Sequence, residues 1–137
     1  MKTWLLPHRE LRRLHRRAYR AQQRDHSEVA GLLVSGARQH LALTFLPNHA
    51  RRPGSFALRS EEIVRERRKA KARGKRVVGL FHSHPLSGPT LGRGDRRGAT
   101  LNWLQLVYDV CGREARLWRV YRRLRRRRVA SIPLQVV

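Results

Sequence analysis

The sequence contains one cysteine, Cys111, among its 137 residues. A single cysteine excludes an internal disulfide and a metal site built from several thiolates, and we expect Cys111 to pack as a small apolar residue. No apolar run approaches the roughly 20 residues of a membrane helix. The apolar segment within residues 1–7 is too short for the core of a signal peptide, and charged residues follow at once. These absences predict a reduced, cytoplasmic location.

Acidic residues are also scarce. Nine Asp and Glu stand against 32 Lys and Arg, which gives a formal net charge of +23. A charge of this size attracts polyanions, so one interpretation is binding of nucleic acid or of an acidic protein. The other interpretation is an arginine-biased composition that places Arg wherever a solvated residue is tolerated. Arginines occur in every segment of the chain, and this distribution fits both interpretations.

The pattern of apolar residues predicts an α/β fold. A length of 137 residues is enough for one compact domain and too short for two, so we expect a single domain over residues 1–137. Helical spacing predicts a first helix over 8–24. Ser60 and Gly74 are typical of the start and end of a second helix over 61–73, and a short third helix is expected over 95–101. Strands are predicted at 28–34, 41–45, 77–81, 104–110, 115–121 and 129–137, with a further extended piece at 56–58. This order favours one mixed β-sheet flanked by helices.

Two histidines at the end of a predicted strand indicate a metal site. His82 and His84 are two residues apart, so in an extended strand both imidazoles point to the same side. Asp95 follows eleven residues after His84, beyond a glycine-rich loop that can return a carboxylate to the same point. Two imidazoles, one carboxylate and a free fourth position are typical of a catalytic zinc ion.

A catalytic zinc site also needs a general base for its water. Glu28 is the best candidate, because it begins a predicted buried strand that can end beside the strand carrying the histidines. A zinc ion lowers the pKa of bound water toward about 7, and a nearby carboxylate can then take the proton and pass it to a leaving amine.

These residues resemble the signature of the JAMM (MPN+, JAB) metallopeptidases, of the small prokaryotic type. Glu28 lies ahead of Gly31-Leu32-Leu33, and the His-x-His-Pro motif is His82-Ser83-His84-Pro85. The resemblance implies a cytidine-deaminase-like fold with Zn²⁺ bound by His82, His84 and Asp95, and with Glu28 as the acid/base residue. Asn48 and Phe56 also stand where short bacterial members often carry an Asn and an aromatic residue. The implied substrate is a peptide or isopeptide bond at the C-terminal tail of a ubiquitin-like or sulfur-carrier protein.

One position departs from the family pattern. Gly92 stands where the family has a serine, which by resemblance holds the water and the developing oxyanion. Loss of one such donor typically lowers turnover by about 10²–10³. Ser87 or Thr90 could replace the hydroxyl, a backbone N–H exposed by glycine could serve instead, or hydrolysis is weak. We expect zinc binding with reduced hydrolysis.

Other functional classes stay open. The RadC-type relatives share the His-x-His-Pro motif, and the charge of +23 suits a nucleic-acid-associated module. MPN relatives without the ligands are catalytically silent scaffolds. The intact ligand set of this chain argues against such a role, whereas Gly92 argues for it. Three arginines near the predicted site either form a solvated face or attract an acidic tail: Arg93, Arg96 and Arg97.

Overall fold

The computed structural model describes residues 2–137, and over this range the chain forms three α-helices and eight strands. The helices are α1 (His8–Asp25), α2 (Ser60–Ala72) and α3 (Arg93–Gly98). The strands are β1 (Trp4–Leu6), β2 (Ala30–Ser35), β3 (Leu41–Leu46), β4 (Arg76–His84), β5 (Leu104–Asp109), β6 (Glu114–Arg123), β7 (Arg126–Ile132) and β8 (Leu134–Val136). A 3₁₀ turn over Ala37–Gln39 joins β2 to β3.

Six strands form one mixed sheet in the order β3-β2-β4-β5-β6-β7. Strands β4 and β5 are parallel, and every other neighbouring pair in this sheet is antiparallel. The long connection from β4 through α3 to β5 makes that parallel pair possible. The expected α/β architecture, a mixed sheet flanked by helices, is therefore confirmed.

Alternate residues of the central strands enter two separate apolar clusters, one on each face of the sheet. Leu106 and Tyr108 of β5 pack with Leu14 and Ala18 of α1, whereas Val107 packs with residues that flank α3. His82 is the register partner of Val107, so its side chain belongs to the α3 face. The sheet thus separates a packed α1 face from a face that presents the histidines.

The structure corrects several predicted boundaries. The strand expected over 129–137 is two strands in different sheets, because Pro133 cannot donate to the ladder and interrupts it. The second piece, β8, pairs in parallel with β1, which the sequence did not predict. Residues 56–58 form no strand, and Cys111 is exposed rather than packed.

The helix boundaries also shift. The third helix begins at Arg93 and ends at Gly98, so it starts and stops earlier than the expected 95–101. Ser60 is the first residue of α2 rather than its N-cap, a position that Arg59 occupies without a side-chain hydrogen bond. Gly74 follows the second helix with φ +70°, in agreement with its predicted role as the terminating glycine. Between residues 2 and 137, no helix combines the length and the hydropathy needed to cross a lipid bilayer.

Candidate metal centre

The central strand β4 delivers both histidines to one point at its carboxyl end. His82 is fully buried and His84 is 7% exposed. The apolar run before them, Val77 to Phe81, places β4 between β2 and β5, where both neighbours fix its register. The strand period predicted from the sequence therefore holds, and the two rings share one face.

Three ligand-type atoms meet at the end of β4. The Nε2 atoms of His82 and His84 lie 3.0 Å apart. The Oδ2 atom of Asp95 lies 3.2 Å from the first and 3.4 Å from the second. A tetrahedral zinc ion with ligands at about 2.0–2.1 Å separates those ligands by about 3.3 Å. The triangle of atoms therefore has the dimensions of one face of a zinc coordination tetrahedron.

The surroundings of the two imidazoles hold them in place. The Nδ1 of His84 lies 2.7 Å from the carbonyl oxygen of Gly88, so Nδ1–H donates outward and leaves the Nε2 lone pair facing Asp95. The ring of Phe56 stacks on that of His82 at a centroid distance of 4.5 Å. The Nδ1 atom of His82 is buried and has no hydrogen-bond partner among residues 2–137. Its inner nitrogen, Nε2, is the only one of the two that faces other ligand atoms.

Asp95 is held by the first turn of α3. Its Oδ2 accepts a hydrogen bond of 3.0 Å from the backbone N–H of Gly92, the N-cap residue of this helix. The same oxygen faces both histidines, so a single atom serves helix capping and the candidate metal site. Because a carboxylate oxygen has two lone pairs, it can satisfy both at once.

Glu28 lies just before β2, brought there by contacts with the His-x-His segment. The backbone of Val29 exchanges two hydrogen bonds with Ser83, one of them to the Ser83 hydroxyl at 2.9 Å. The amide of Asn48 donates to the backbone carbonyl of Glu28 at 2.8 Å. These contacts fix the backbone at the carbonyl of Glu28 and at the residue after it, and Glu28 is only 6% exposed.

The electrostatics of these groups follow from burial and mutual contact. Burial raises the pKa of Glu28 to about 7, opposed by His84 and assisted by Asp95, and its Oε1 atom is buried without a partner in the described chain. Burial would also raise the pKa of Asp95, but hydrogen bonds with His82, His84 and Gly92 hold it well below its usual range. Burial lowers the pKa of His82. Burial would also lower the pKa of His84, but its hydrogen bonds with Asp95 and the Gly88 carbonyl raise it. The two imidazoles are thus shifted in opposite directions beside an ionised carboxylate, and a metal ion would bind both in their neutral form.

A cleft of about 880 Å³ opens beside these residues. Glu28, His84 and Asp95 line it, together with Phe56 and the exposed Ser87. Thr90 is not among its lining residues, so of the two hydroxyls considered for the role of the family serine, only Ser87 faces the cleft. The Gly92 N–H is engaged by Asp95, so this backbone group is not the free donor that we considered from the sequence.

Several supporting residues escaped the sequence reasoning. Gln105 of β5 lines the same cleft and is 3% exposed, with its Nε2 unpartnered within residues 2–137. Trp118 donates its indole N–H to the carbonyl of Pro89 at 2.8 Å and so anchors the loop between β4 and α3. His49 Nε2 lies 2.6 Å from Glu62 Oε1 and joins the 47–57 loop to α2. Each contact joins segments distant in sequence, and no local motif signals it.

The donor set fits a zinc ion. It offers two imidazole nitrogens and one carboxylate oxygen at suitable separations, with the remaining side open to the cleft. The buried carboxylate oxygen Oε1 of Glu28 has no donor among residues 2–137 and suits a water beside such an ion.

The fold and this cluster together define the class of protein: a mixed-sheet α/β protein of the JAB (MPN, JAMM) type. More narrowly, the chain belongs to the family of prokaryotic homologs of the JAB domain, which it matches over residues 10–121. It is 34% identical over 94 residues to the desampylase of Haloferax volcanii, an alignment that covers 66% of each chain. The fold is similar to the solution structure of protein DSY2949 from Desulfitobacterium hafniense, with a TM-score of 0.76 and 16% identity over 99% of this chain and 93% of that one.

Proposed function

We propose that this protein is a zinc-dependent metallopeptidase that hydrolyses a peptide or isopeptide bond at the C-terminal tail of a ubiquitin-like or sulfur-carrier protein. The observation that carries the proposal is the triangle of His82, His84 and Asp95 ligand atoms, 3.0–3.4 Å apart. The similarity to a desampylase supports an isopeptidase with a ubiquitin-like modifier as substrate.

In this proposal, His82, His84 and Asp95 hold the zinc ion, and Glu28 handles the proton. When bound, zinc would supply Lewis acidity, lowering the pKa of water and polarising the substrate carbonyl. Glu28 accepts the proton of the attacking water through an oxygen that has no competing protein donor. The same carboxylate, once protonated, can return that proton to the leaving amine.

The cleft accounts for the kind of substrate. An extended carrier tail is narrow enough to lie along a surface cleft, and its scissile carbonyl must reach the three-residue cluster. Arg93, Arg96 and Arg97 are exposed on α3 beside Asp95, where their charge would attract an acidic tail or a terminal carboxylate.

The most direct experiment incubates the protein with a carrier–protein fusion, with and without a chelator. We expect cleavage after the carrier tail that stops in chelator and returns when zinc is restored. His84→Ala should bind no zinc and show no cleavage, whereas His40→Ala, which removes an exposed histidine remote from the cluster, should behave as wild type. Cleavage that persists in chelator would contradict the metal mechanism.

A second candidate is a zinc-binding protein with little hydrolytic activity. Gly92 favours it, because this position has no hydroxyl and its N–H is already used by Asp95. Stoichiometric zinc with no cleavage of any carrier fusion, even after a serine is restored at position 92, would support this candidate over the peptidase.

A further inference from the structure

The hairpin that joins β6 to β7 carries a dense group of arginines. Six of the seven residues from 122 to 128 are Arg, and the seventh is Leu124. All seven are exposed, and Leu124 is 83% exposed at the tip. We refer to residues 122–128 as the arginine hairpin. It contributes no residue to the three-residue cluster, and the inference below does not rest on the proposed hydrolysis.

The register of the arginine hairpin sets like charges against each other. Arg122 is the partner of Arg127, and Arg123 is the partner of Arg126. Like charges directly opposite across an antiparallel pair destabilise it. Arg127 donates to the carbonyls of Arg96 and Ala99, but no arginine of the hairpin has an acidic partner in any ion pair within residues 2–137. The protein itself does not neutralise this charge.

The turn of the arginine hairpin is also unfavourable. Leu124 and Arg125 both have positive φ, at 51° and 62°. Two-residue hairpin turns of this kind usually contain Asn-Gly, because a bulky residue in the left-handed region is strained. An arginine-biased composition explains arginines on the surface, but it does not explain an exposed leucine in a strained turn. Positive φ also occurs at five other non-glycine residues among residues 2–137, so what distinguishes this turn is the exposed leucine between arginines.

The two faces of the ribbon identify the partner. Neighbouring side chains of a strand point to opposite faces, so Arg122 and Arg123 lie on different sides of the hairpin. A flat acidic protein surface would meet only one of these faces. The major groove of double-stranded DNA, about 12 Å wide, admits a two-stranded β-ribbon and presents phosphates along both rims. Because β7 is an edge strand, no further strand of the sheet covers the ribbon.

We propose that the arginine hairpin binds double-stranded DNA, with the tip in the major groove and with Arg122 on one face and Arg123, Arg126 and Arg128 on the other contacting phosphates, while Arg127 stays hydrogen-bonded to the α3 region. Electrostatic contacts of this kind give affinity that falls steeply with salt.

The test measures binding of a fluorescent DNA duplex of about 20 base pairs as a function of salt concentration. The hairpin variant replaces Arg122, Arg123, Arg126 and Arg128 by Gln. The matched control replaces four exposed arginines of α1 by Gln: Arg9, Arg12, Arg16 and Arg20. Both variants lose the same charge. We expect the hairpin variant to bind the duplex about 10²-fold more weakly than wild type. The slope of log affinity against log salt concentration should become shallower by about 3–4. The affinity of the α1 control should fall by less than about threefold.

A second variant, in which the same four arginines are replaced by Lys, distinguishes loss of charge from misfolding as the cause of weaker binding. It keeps the positive charges and should bind the duplex within about tenfold of wild type. Equal losses in the hairpin variant and in the α1 control would overturn the proposal, because binding would then follow overall charge. So would tighter binding of poly-L-glutamate than of the duplex, since that result would point to an acidic protein partner.

Discussion

At the scale of single residues, Gly92 is the position at which we expect the activity of the proposed metal site to be limited. A Cβ added at this position would lie 3.4 Å from the Oδ2 of Asp95, an ordinary contact, so a serine fits without moving the ligand. The hydroxyl that the family carries here is missing, while the ligand triangle beside it is complete.

We therefore predict that Gly92→Ser raises kcat on a carrier fusion by about 10–10²-fold, because an added donor stabilises the developing oxyanion. The control is Gly94→Ser on the same helix, where an added Cβ meets nothing within 4 Å. A Gly92→Ser enzyme no faster than wild type would argue that Ser87 already supplies this hydroxyl or that the site is not hydrolytic.

The burial of Glu28 also predicts how the stability of the protein depends on pH, which can be measured without a substrate. In the metal-free protein, burial raises the pKa of Glu28 to about 7, so the native state holds its proton to higher pH than the unfolded chain does. The free energy of unfolding therefore falls as pH rises from about 4.5 to about 7, and the full cost of the buried charge is present above that range.

Glu28→Gln removes this cost, so it should stabilise the metal-free protein by about 1–3 kcal/mol at pH 8 and by much less at pH 5. The upper end of that range assumes little screening by water in the cleft. Urea denaturation in the presence of chelator measures the difference. Glu61→Gln, at an exposed position of α2, should change stability equally at both pH values. An effect of Glu28→Gln that is independent of pH would show that the carboxylate is well solvated.

At the scale of structural elements, the segments that carry the site could be predicted from local pattern. The apolar run Val77 to Phe81 predicted the strand β4. The spacing of His82 and His84 predicted that both imidazoles point to the same side of it. The β1–β8 pair could not be predicted in this way, because two three-residue strands at opposite ends of the sequence have no periodicity of their own. Pro133 could have indicated the break between β7 and β8. The alternating apolar residues around it instead suggested one continuous strand.

The three-residue cluster was likewise predictable, but the contacts that support it were not. Asn48 shows the difference. Its amide donates to the carbonyls of Glu28 and Ser55 and accepts from the N–H groups of Ala50 and Ala57, so one side chain joins a loop to the base. The family resemblance pointed to Asn48 as a position, but only the folded chain shows which groups its side chain joins.

Asn48→Asp tests this connection with almost no change of shape. The substitution replaces two N–H donors by an oxygen that faces two carbonyls, and we expect it to lower the free energy of unfolding by about 2–4 kcal/mol. It should also lower kcat, because the backbone of Glu28 loses its anchor. Asn102→Asp, at an exposed position, is the matched control. Unchanged stability and kcat in Asn48→Asp would mean that the loop does not position Glu28.

At the scale of the whole molecule, the candidate metal centre and the arginine hairpin lie at different places on the sheet. The carboxyl end of β4 carries the candidate metal centre, whereas the arginine hairpin extends from the edge of the sheet at β6 and β7. The net charge of +23 was readable from composition, but composition could not show that like charges face each other in one hairpin. That information lies in the strand register, which depends on where the two-residue turn falls.

We propose that His82, His84 and Asp95 hold one zinc ion and that Glu28 works beside it without being a ligand. The most direct measurement is the zinc content and turnover of purified Glu28→Gln compared with wild type and His84→Ala. We predict one zinc per chain in wild type and in Glu28→Gln, almost none in His84→Ala, and turnover reduced by about 10²–10⁴ in zinc-loaded Glu28→Gln. Full zinc in His84→Ala, or undiminished turnover in Glu28→Gln, would contradict the account.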